Sequence, residues 1–206
     1  MEIDKTILDD KRQDALAKER PTHYSSRIGY FNAKWTNHHR LLVDEIQIYY
    51  RSYAPHIQFS ATLQTRLITR RDRFRSEQQL ISLQEDFWHF RKRINYHFFG
   101  KNNHRKPHIH SLLILPVIEG TGFSPEGTRT LHYHIGLGNI PDEASFSELC
   151  FVIRKHWLKS RFGTDMIKIK SADPDWIEYI TKEVERGNVD CVDWRNACVP
   201  HEALHI

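Results

Sequence analysis

The chain has 206 residues, enough for one well-packed domain with extensions, and its 39% hydrophobic and 12% aromatic content is that of a globular protein. Its uncharged runs fall well short of the roughly 20 residues of a membrane-spanning helix, and the N-terminal MEIDKTILDDKRQDALAKER has no apolar stretch behind a basic start; no membrane span or secretory signal is expected, and a cytoplasmic location is. The net charge of +4 conceals a basic middle, because residues 51–106 hold twelve basic and four acidic side chains whereas residues 107–206 hold ten and fourteen.

In chain order, residues 4–20 read as a polar helix, and HHRLLVDEIQIYYRS at 38–52 as an amphipathic one with Leu41, Leu42, Ile46 and Tyr49 or Tyr50 inward. Pro55 opens HIQFSATLQTR, where Phe59, Ala61 and Leu63 alternate with polar neighbours as in a strand. Residues 77–99 form a long helix with Leu80, Leu83, Phe87, Phe90 and Ile94 at helical spacing. After the polar loop GKNNHRKP, HIHSLLILPVIEG is a long apolar strand. TGFSPEGTR connects it to LHYHIGLG, so the two pair as an antiparallel hairpin with an extended loop.

SFSELCFVIRKHWLKSRFG reads as a helix ending at Gly163 and MIKIK as a short strand. DPDWIEYITKEVERG reads as a helix with Asp173 as N-cap, Pro174 at its first position and a stop at Gly187. The order of elements defines an α+β fold, a central and largely antiparallel sheet flanked by helices in a two- or three-layer sandwich. The chain divides into an N-terminal helical extension over 1–54, the α+β domain over 55–187 and a tail over 188–206.

Cys150, Cys191 and Cys198 are odd in number and lack a C-x-x-C pair, which argues against a disulfide framework. In the tail, Cys191, Cys198, His201 and His205 offer two thiolates and two imidazoles, at a spacing wider than in common zinc modules. The basic middle suits a polyanion or forms a solvated helix face. Arg66, Arg70, Arg71, Arg73, Arg91 and Arg93 are its candidates for a DNA surface, with Phe74, Trp88 and Tyr96 for stacking.

Alternation on LHYHIGLG puts His132, His134 and Gly136 on one strand face and Leu131, Tyr133, Ile135 and Leu137 on the other. Two imidazoles on one face either belong to an ordinary amphipathic strand or give a divalent cation two fixed points. His108 and His110 have the same spacing, but they open their strand behind a basic loop, so His132 and His134 are preferred. On the last helix, Ile177, Ile180 and Val184 fall within about 60° of one another, and Tyr179 lies off that stripe beside Lys182, Glu183 and Arg186. A helical tyrosine is commonly half-buried packing. One flanked by Lys and Arg also suits attack on a phosphodiester, because the cations neutralise phosphate oxygens and favour the phenolate.

H-Y-H on a strand, followed after one helix and one short strand by Y-I-T-K on a helix, resembles the HUH endonucleases, which include rolling-circle replication initiators, plasmid relaxases and certain single-stranded transposases. FSATLQ at 59–64 is similar to the Phe-x-x-Thr-Leu strand that opens many initiators, and the likeness spans about residues 55–187. The resemblance implies His132 and His134 as metal ligands, Tyr179 as the single nucleophile and Lys182 as its lysine partner. Glu119 is the preferred third ligand, ahead of Glu183 and Glu126.

Such a donor set leaves positions open and suits Mg²⁺ or Mn²⁺. The implied activity is nicking and joining of single-stranded or hairpin DNA through a 5′-phosphotyrosine, initiating rolling-circle replication of a plasmid or phage. No P-loop pattern is present, so a helicase and a polymerase would be separate partners. The competing readings are a non-catalytic DNA-binding protein of the same fold, a relaxase or single-stranded transposase, and a metallophosphoesterase with His108, His110, His132 and His134 around one site.

Overall fold

The structure, a computed structural model, describes residues 37–69, 73–121, 129–173, 175–185 and 188–200, without the side chains of 37–39, 69, 73–76 and 129. The expected polar helix over 4–20, the loop residue Glu126, Pro174, Arg186 and both tail histidines lie outside the described residues. In chain order the elements are α1 (Asn37–Tyr53), β1 (Phe59–Thr69), α2 (Arg73–Phe99), α3 (Lys101–Arg105), β2 (Leu113–Glu119), β3 (Arg129–Gly138), α4 (Phe146–Trp157), β4 (Gly163–Ser171) and α5 (Trp176–Glu185), with short 3-10 turns at Ala54–His56 and Val189–Cys191. The fold is α+β, as expected, and all four strands pair antiparallel in the order β2-β3-β1-β4.

Alternation along β3 divides the protein into layers. Leu131, Tyr133, Ile135 and Leu137 join Ala61, Leu63, Ile114 and Ile118 in a core closed by Leu83, Phe87, Phe90 and Ile94 of α2 and by Leu149, Val152, Ile153 and Trp157 of α4. The Phe87 ring lies 4.1 Å from that of Tyr133, and each large apolar side chain withdrawn from water there contributes about 1.5–3 kcal/mol. On the opposite face, Val43, Ile46 and Tyr50 of α1 and Trp176, Ile177, Ile180 and Val184 of α5 pack on Leu113, Leu115 and Val117. On the β4 side of that face Met166, Lys168 and Lys170 are exposed.

β2 is buried on both faces because it lies between the two helix layers, and the tail covers its free edge through bridges Ile114↔Cys198 and Val117↔Val192. Residues 37–53 and 188–200, read from sequence as lying outside the 55–187 domain, pack into these same cores. Asp193 is fully buried and accepts from the Tyr133 hydroxyl at 2.7 Å and from Asn196 Nδ2 at 2.7 Å. Burial pushes its carboxyl up despite these donors.

Several local expectations change. In α1 the buried stripe is Val43, Ile46 and Tyr50, while Leu41 is 60% exposed, because α1 meets α5 along a narrow i, i+3, i+7 seam. The polar stretch after α2 contains the short helix α3, and β2 begins only at Leu113, so His108 and His110 precede the strand. α4 starts with Ser145 accepting from the Glu148 amide, a local cap, and ends at Trp157. Gly163 opens β4 instead of ending that helix, and the position excludes a side chain because a Cβ there would lie 2.1 Å from the Trp157 carbonyl oxygen. The Asp173 carboxylate pairs with Lys170, and its backbone carbonyl, not its side chain, accepts from the first amide of α5.

Tyr133→Phe removes one of the two donors to a carboxylate that cannot reach water. The expected result in urea unfolding is a loss of about 1–3 kcal/mol, with the folded far-ultraviolet circular dichroism retained.

Candidate active site

Three elements converge at one end of β3. Cross-strand pairing sets Glu119, the last residue of β2, opposite His132, and sets Val117 opposite His134. On the other side Gln64 and Thr62 of β1 face His132 and His134. The His132 and His134 Nε2 atoms are 3.1 Å apart, and Glu119 Oε2 is 2.7 Å from the latter and 3.4 Å from the former. One ligand atom from each residue lies within 4.8 Å of the others, and this is the one such group among the described residues.

The second nitrogens are also engaged. His132 Nδ1 is 3.2 Å from the Thr130 carbonyl and His134 Nδ1 is 3.2 Å from Thr62 Oγ1. These contacts hold the orientation of each ring and leave its Nε2 turned toward Glu119. Two imidazole nitrogens and a carboxylate oxygen beside open clefts fit a divalent cation that keeps further positions for water or substrate.

Hydrogen bonds from His132 and then His134, with the Lys182 ammonium beside them, hold the Glu119 carboxyl far below the usual carboxylate range and outweigh its burial. Burial lowers His134 overall, against the pull of Glu119, which favours the neutral imidazole that ligation requires. Burial acts against the Lys182 cation, but the hydrogen bond and charge of Glu119 raise it overall.

α5 brings the remaining groups. Ile177, Ile180 and Val184 turn into the core, and Tyr179, off that stripe, is 51% exposed. Its ring meets His134 edge-on at 5.2 Å and 87°. Lys182 Nζ stands 4.0 Å from the Tyr179 ring centroid and 2.9 Å from Glu119 Oε2, so one ammonium links the tyrosine to the carboxylate. The helix is seated by Trp176, whose ring occupies the space over Gly136. A Cβ on that glycine would lie 2.6 Å from Trp176 Cη2. A cleft of about 420 Å³ in front of Tyr179 is lined by Ser60, Thr62, His134 and Trp176, by Lys168 and Lys170, and by the carboxylates of Asp173 and Asp175.

Glu119, His132, His134, Tyr179 and Lys182 thus lie close together at one end of β3. Glu183 is buried and lines a second cleft with Glu119 and His132, but the compact cluster with the histidines uses Glu119. His108 and His110 sit beyond the Leu113 end of β2, a full strand from Glu119, which removes the four-histidine arrangement. The described arginines are elsewhere. Arg66 donates to the Gly163 carbonyl. Arg91 donates to the Asn196 and Ala197 carbonyls, and Arg93 to the His156 carbonyl and Ser160 Oγ.

Arg91 and Arg93 belong to α2, which packs on the face of β3 opposite the histidines, so they strap helices and tail together away from Glu119, His132 and His134. Arg70, Arg71 and the Arg73 side chain lie outside the described residues. Cys191 is buried against α1 and α5, whereas Cys198 lies against the other core. Sequence reading missed Thr62, Gln64, Lys168 and Lys170, whose signals were the polar positions of FSATLQ and the alternating lysines of MIKIK. Comparison of the chain with protein-family models, with curated proteins and with solved structures finds no match.

Calorimetric titration of the purified protein with Mn²⁺ is expected to show one site. His134→Ala or Glu119→Gln should weaken it at least about tenfold, whereas His108→Ala and His110→Ala should leave it unchanged. Without metal, Glu119 has a folded pKa below its unfolded one, so its stabilisation is present above the unfolded value of about 4.3 and is lost as pH falls below it. In chelator, therefore, thermal stability between about pH 5 and pH 3 should fall more steeply for the native protein than for Glu119→Gln.

Proposed function

We propose that the chain nicks and rejoins single-stranded DNA through a covalent 5′-phosphotyrosine at Tyr179, acting as an initiator of rolling-circle replication of a plasmid or phage. Glu119, His132 and His134 would hold the divalent cation, Mg²⁺ or Mn²⁺. The observation that carries this reading is that Lys182 contacts both the tyrosine ring and the carboxylate of the two-histidine cluster. A metal trio alone would suit many hydrolases; an exposed tyrosine edge-on to one of its ligands points to covalent chemistry.

A cation bound there would act as a Lewis acid toward the scissile phosphate. The chain's own groups do the rest. Tyr179 Oη forms a bond to phosphorus as the bond from phosphorus to the 3′-oxygen breaks. The phenol gives up its proton and the departing 3′-oxygen takes one up, so the exchange is neutral in protons and electrons. Lys182, whose charge Glu119 sustains, stands where negative charge passes between the two oxygens. Because the phosphoester is retained on the tyrosine, attack by a 3′-hydroxyl reverses the step and rejoins the strand without a nucleotide cofactor.

The strand itself is best accommodated on the exposed β4 side of the sheet. Lys168 and Lys170 line the first cleft with Tyr179, Lys170 paired with Asp173, so Lys168 is the cation offered to a phosphate beside the reacting groups. We therefore favour a DNA track along β1 and β4 over one on Arg91 and Arg93 of α2, whose guanidinium groups donate to backbone carbonyls. A hairpin or single-stranded substrate meets the need for an unpaired scissile bond, and a separate helicase would unwind it further.

The test is incubation with single-stranded and hairpin oligonucleotides in Mn²⁺, followed by denaturing electrophoresis. A covalent protein–DNA species is expected and should be absent with Tyr179→Phe. Lys182→Ala should slow its formation roughly a hundredfold. Absence of any adduct across a broad oligonucleotide library contradicts the proposal.

A further inference from the structure

The second cleft, about 680 Å³, opens on the other side of the histidine pair from Tyr179. His134 lines the first cleft and His132 the second, so the two lie in sequence along β3 with the metal cluster between them. Their chemistry differs. The first carries Lys168 and Lys170 together with Asp173 and Asp175, whereas among the described residues the acidic or basic side chains lining the second are the carboxylates Glu119 and Glu183. Apart from these carboxylates and His132, its lining is an uncharged surface that includes Gln64, Thr130, Thr164 and Met166.

Gln64 is held in an unusual way. It is the last residue of the regular pairing with β3, directly opposite His132, and the β1–β3 register shifts beyond it. The β1–β4 register shifts in the same place, between Leu63 and Thr65. Such irregularities re-aim a side chain beside a functional site. The Gln64 carbonyl is fixed by Trp157 Nε1 at 2.9 Å and by Thr164 Oγ1 at 3.2 Å, and Thr65 Oγ1 donates to the Leu131 carbonyl at 2.6 Å. The backbone is therefore clamped, while the Gln64 amide has no hydrogen-bond partner among the described residues and faces the cleft. Beside it Met166 is 68% exposed, a polarisable apolar surface on which a flat ring can lie.

We propose that this cleft receives a nucleobase next to the scissile phosphate and that Gln64 determines which base is accepted. The inference rests on the nicking reading above. A planar amide offers one donor and one acceptor, which match the paired donor and acceptor on a base edge and cannot be satisfied by phosphate. Met166 supports the ring from one face, and the strand then passes His132 and His134 to put its phosphates beside Lys168. Gln64 touches the substrate but takes no part in bond breaking.

The experiment captures covalent adducts from single-stranded oligonucleotides randomised around the cleaved bond, in Mn²⁺, and sequences the captured DNA. The native protein should show a preference on the order of tenfold or more at one position adjacent to the cleaved bond. Gln64→Ala should bring that position to near indifference while adducts still form and other positions keep their profile. Gln64→Glu, which replaces the donor by an acceptor, should move the preference toward a base presenting an amino group, such as cytosine. A merely structural role would lower the yield for every sequence alike and leave the profile in place, and that result overturns the proposal. A native protein that forms adducts without any preference beside the cleaved bond also overturns it, whereas failure to form any adduct removes the nicking reading itself.

Discussion

The site depends on the register between β2 and β3. Glu119 meets His132 because the two are paired residues of an antiparallel ladder, and His134 shares their face because it is two residues further on. A slip of one residue would turn both imidazoles into the core of Phe87 and Trp157 and would expose Tyr133 in their place. That outcome is heavily disfavoured, since Tyr133, Ile135 and Leu137 are fully buried and Tyr133 is tied to Asp193. The apolar face of β3 thus fixes the polar one. The tail adds to this by bridging the outer edge of β2, which positions the strand that delivers Glu119.

Depth and orientation of Tyr179 come from a second contact. Gly136 continues the histidine face of β3, and its missing Cβ lets the Trp176 ring settle on the strand. Tyr179 follows Trp176 by three residues on α5, so the seat of the tryptophan sets the height of the tyrosine over His134. α1 lies behind α5 and buries Val43, Ile46 and Tyr50 against it, and the Tyr50 hydroxyl donates to the Pro116 carbonyl on β2. The helix before the sheet therefore supports the helix that carries Tyr179, which accounts for its place in the same core.

Much of this was legible in the sequence where the signal is local. A period of two on LHYHIGLG was enough to place the histidines together and the apolar residues away from them. The period of 3.6 on the last helix separated Tyr179 from Ile177, Ile180 and Val184. Glu119 was reached through a resemblance, because its meeting with His132 depends on a pairing across a long loop that no local pattern specifies. The arginines of α2 show the opposite case. Their charge is plain in the sequence, but Arg91 and Arg93 turn to backbone carbonyls of the tail and of the end of α4, partners more than sixty residues away. In α1 the expected stripe included Leu41, which is exposed, because one narrow seam with α5 decides burial there. Residues 188–200 have no periodicity to read; they pack through two isolated bridges and the buried Asp193.

The convergence of Tyr179 with the Glu119, His132 and His134 cluster is tested most directly by finding which residue carries DNA after reaction. Trypsin cuts after Lys170 and Lys182, and the resulting peptide SADPDWIEYITK contains a single tyrosine. Tandem mass spectrometry of nuclease-trimmed adduct should locate a nucleotide phosphate on Tyr179, formed with Mn²⁺ and absent in chelator. A nucleotide on any other residue, or the same adduct formed equally well without a divalent cation, contradicts the account.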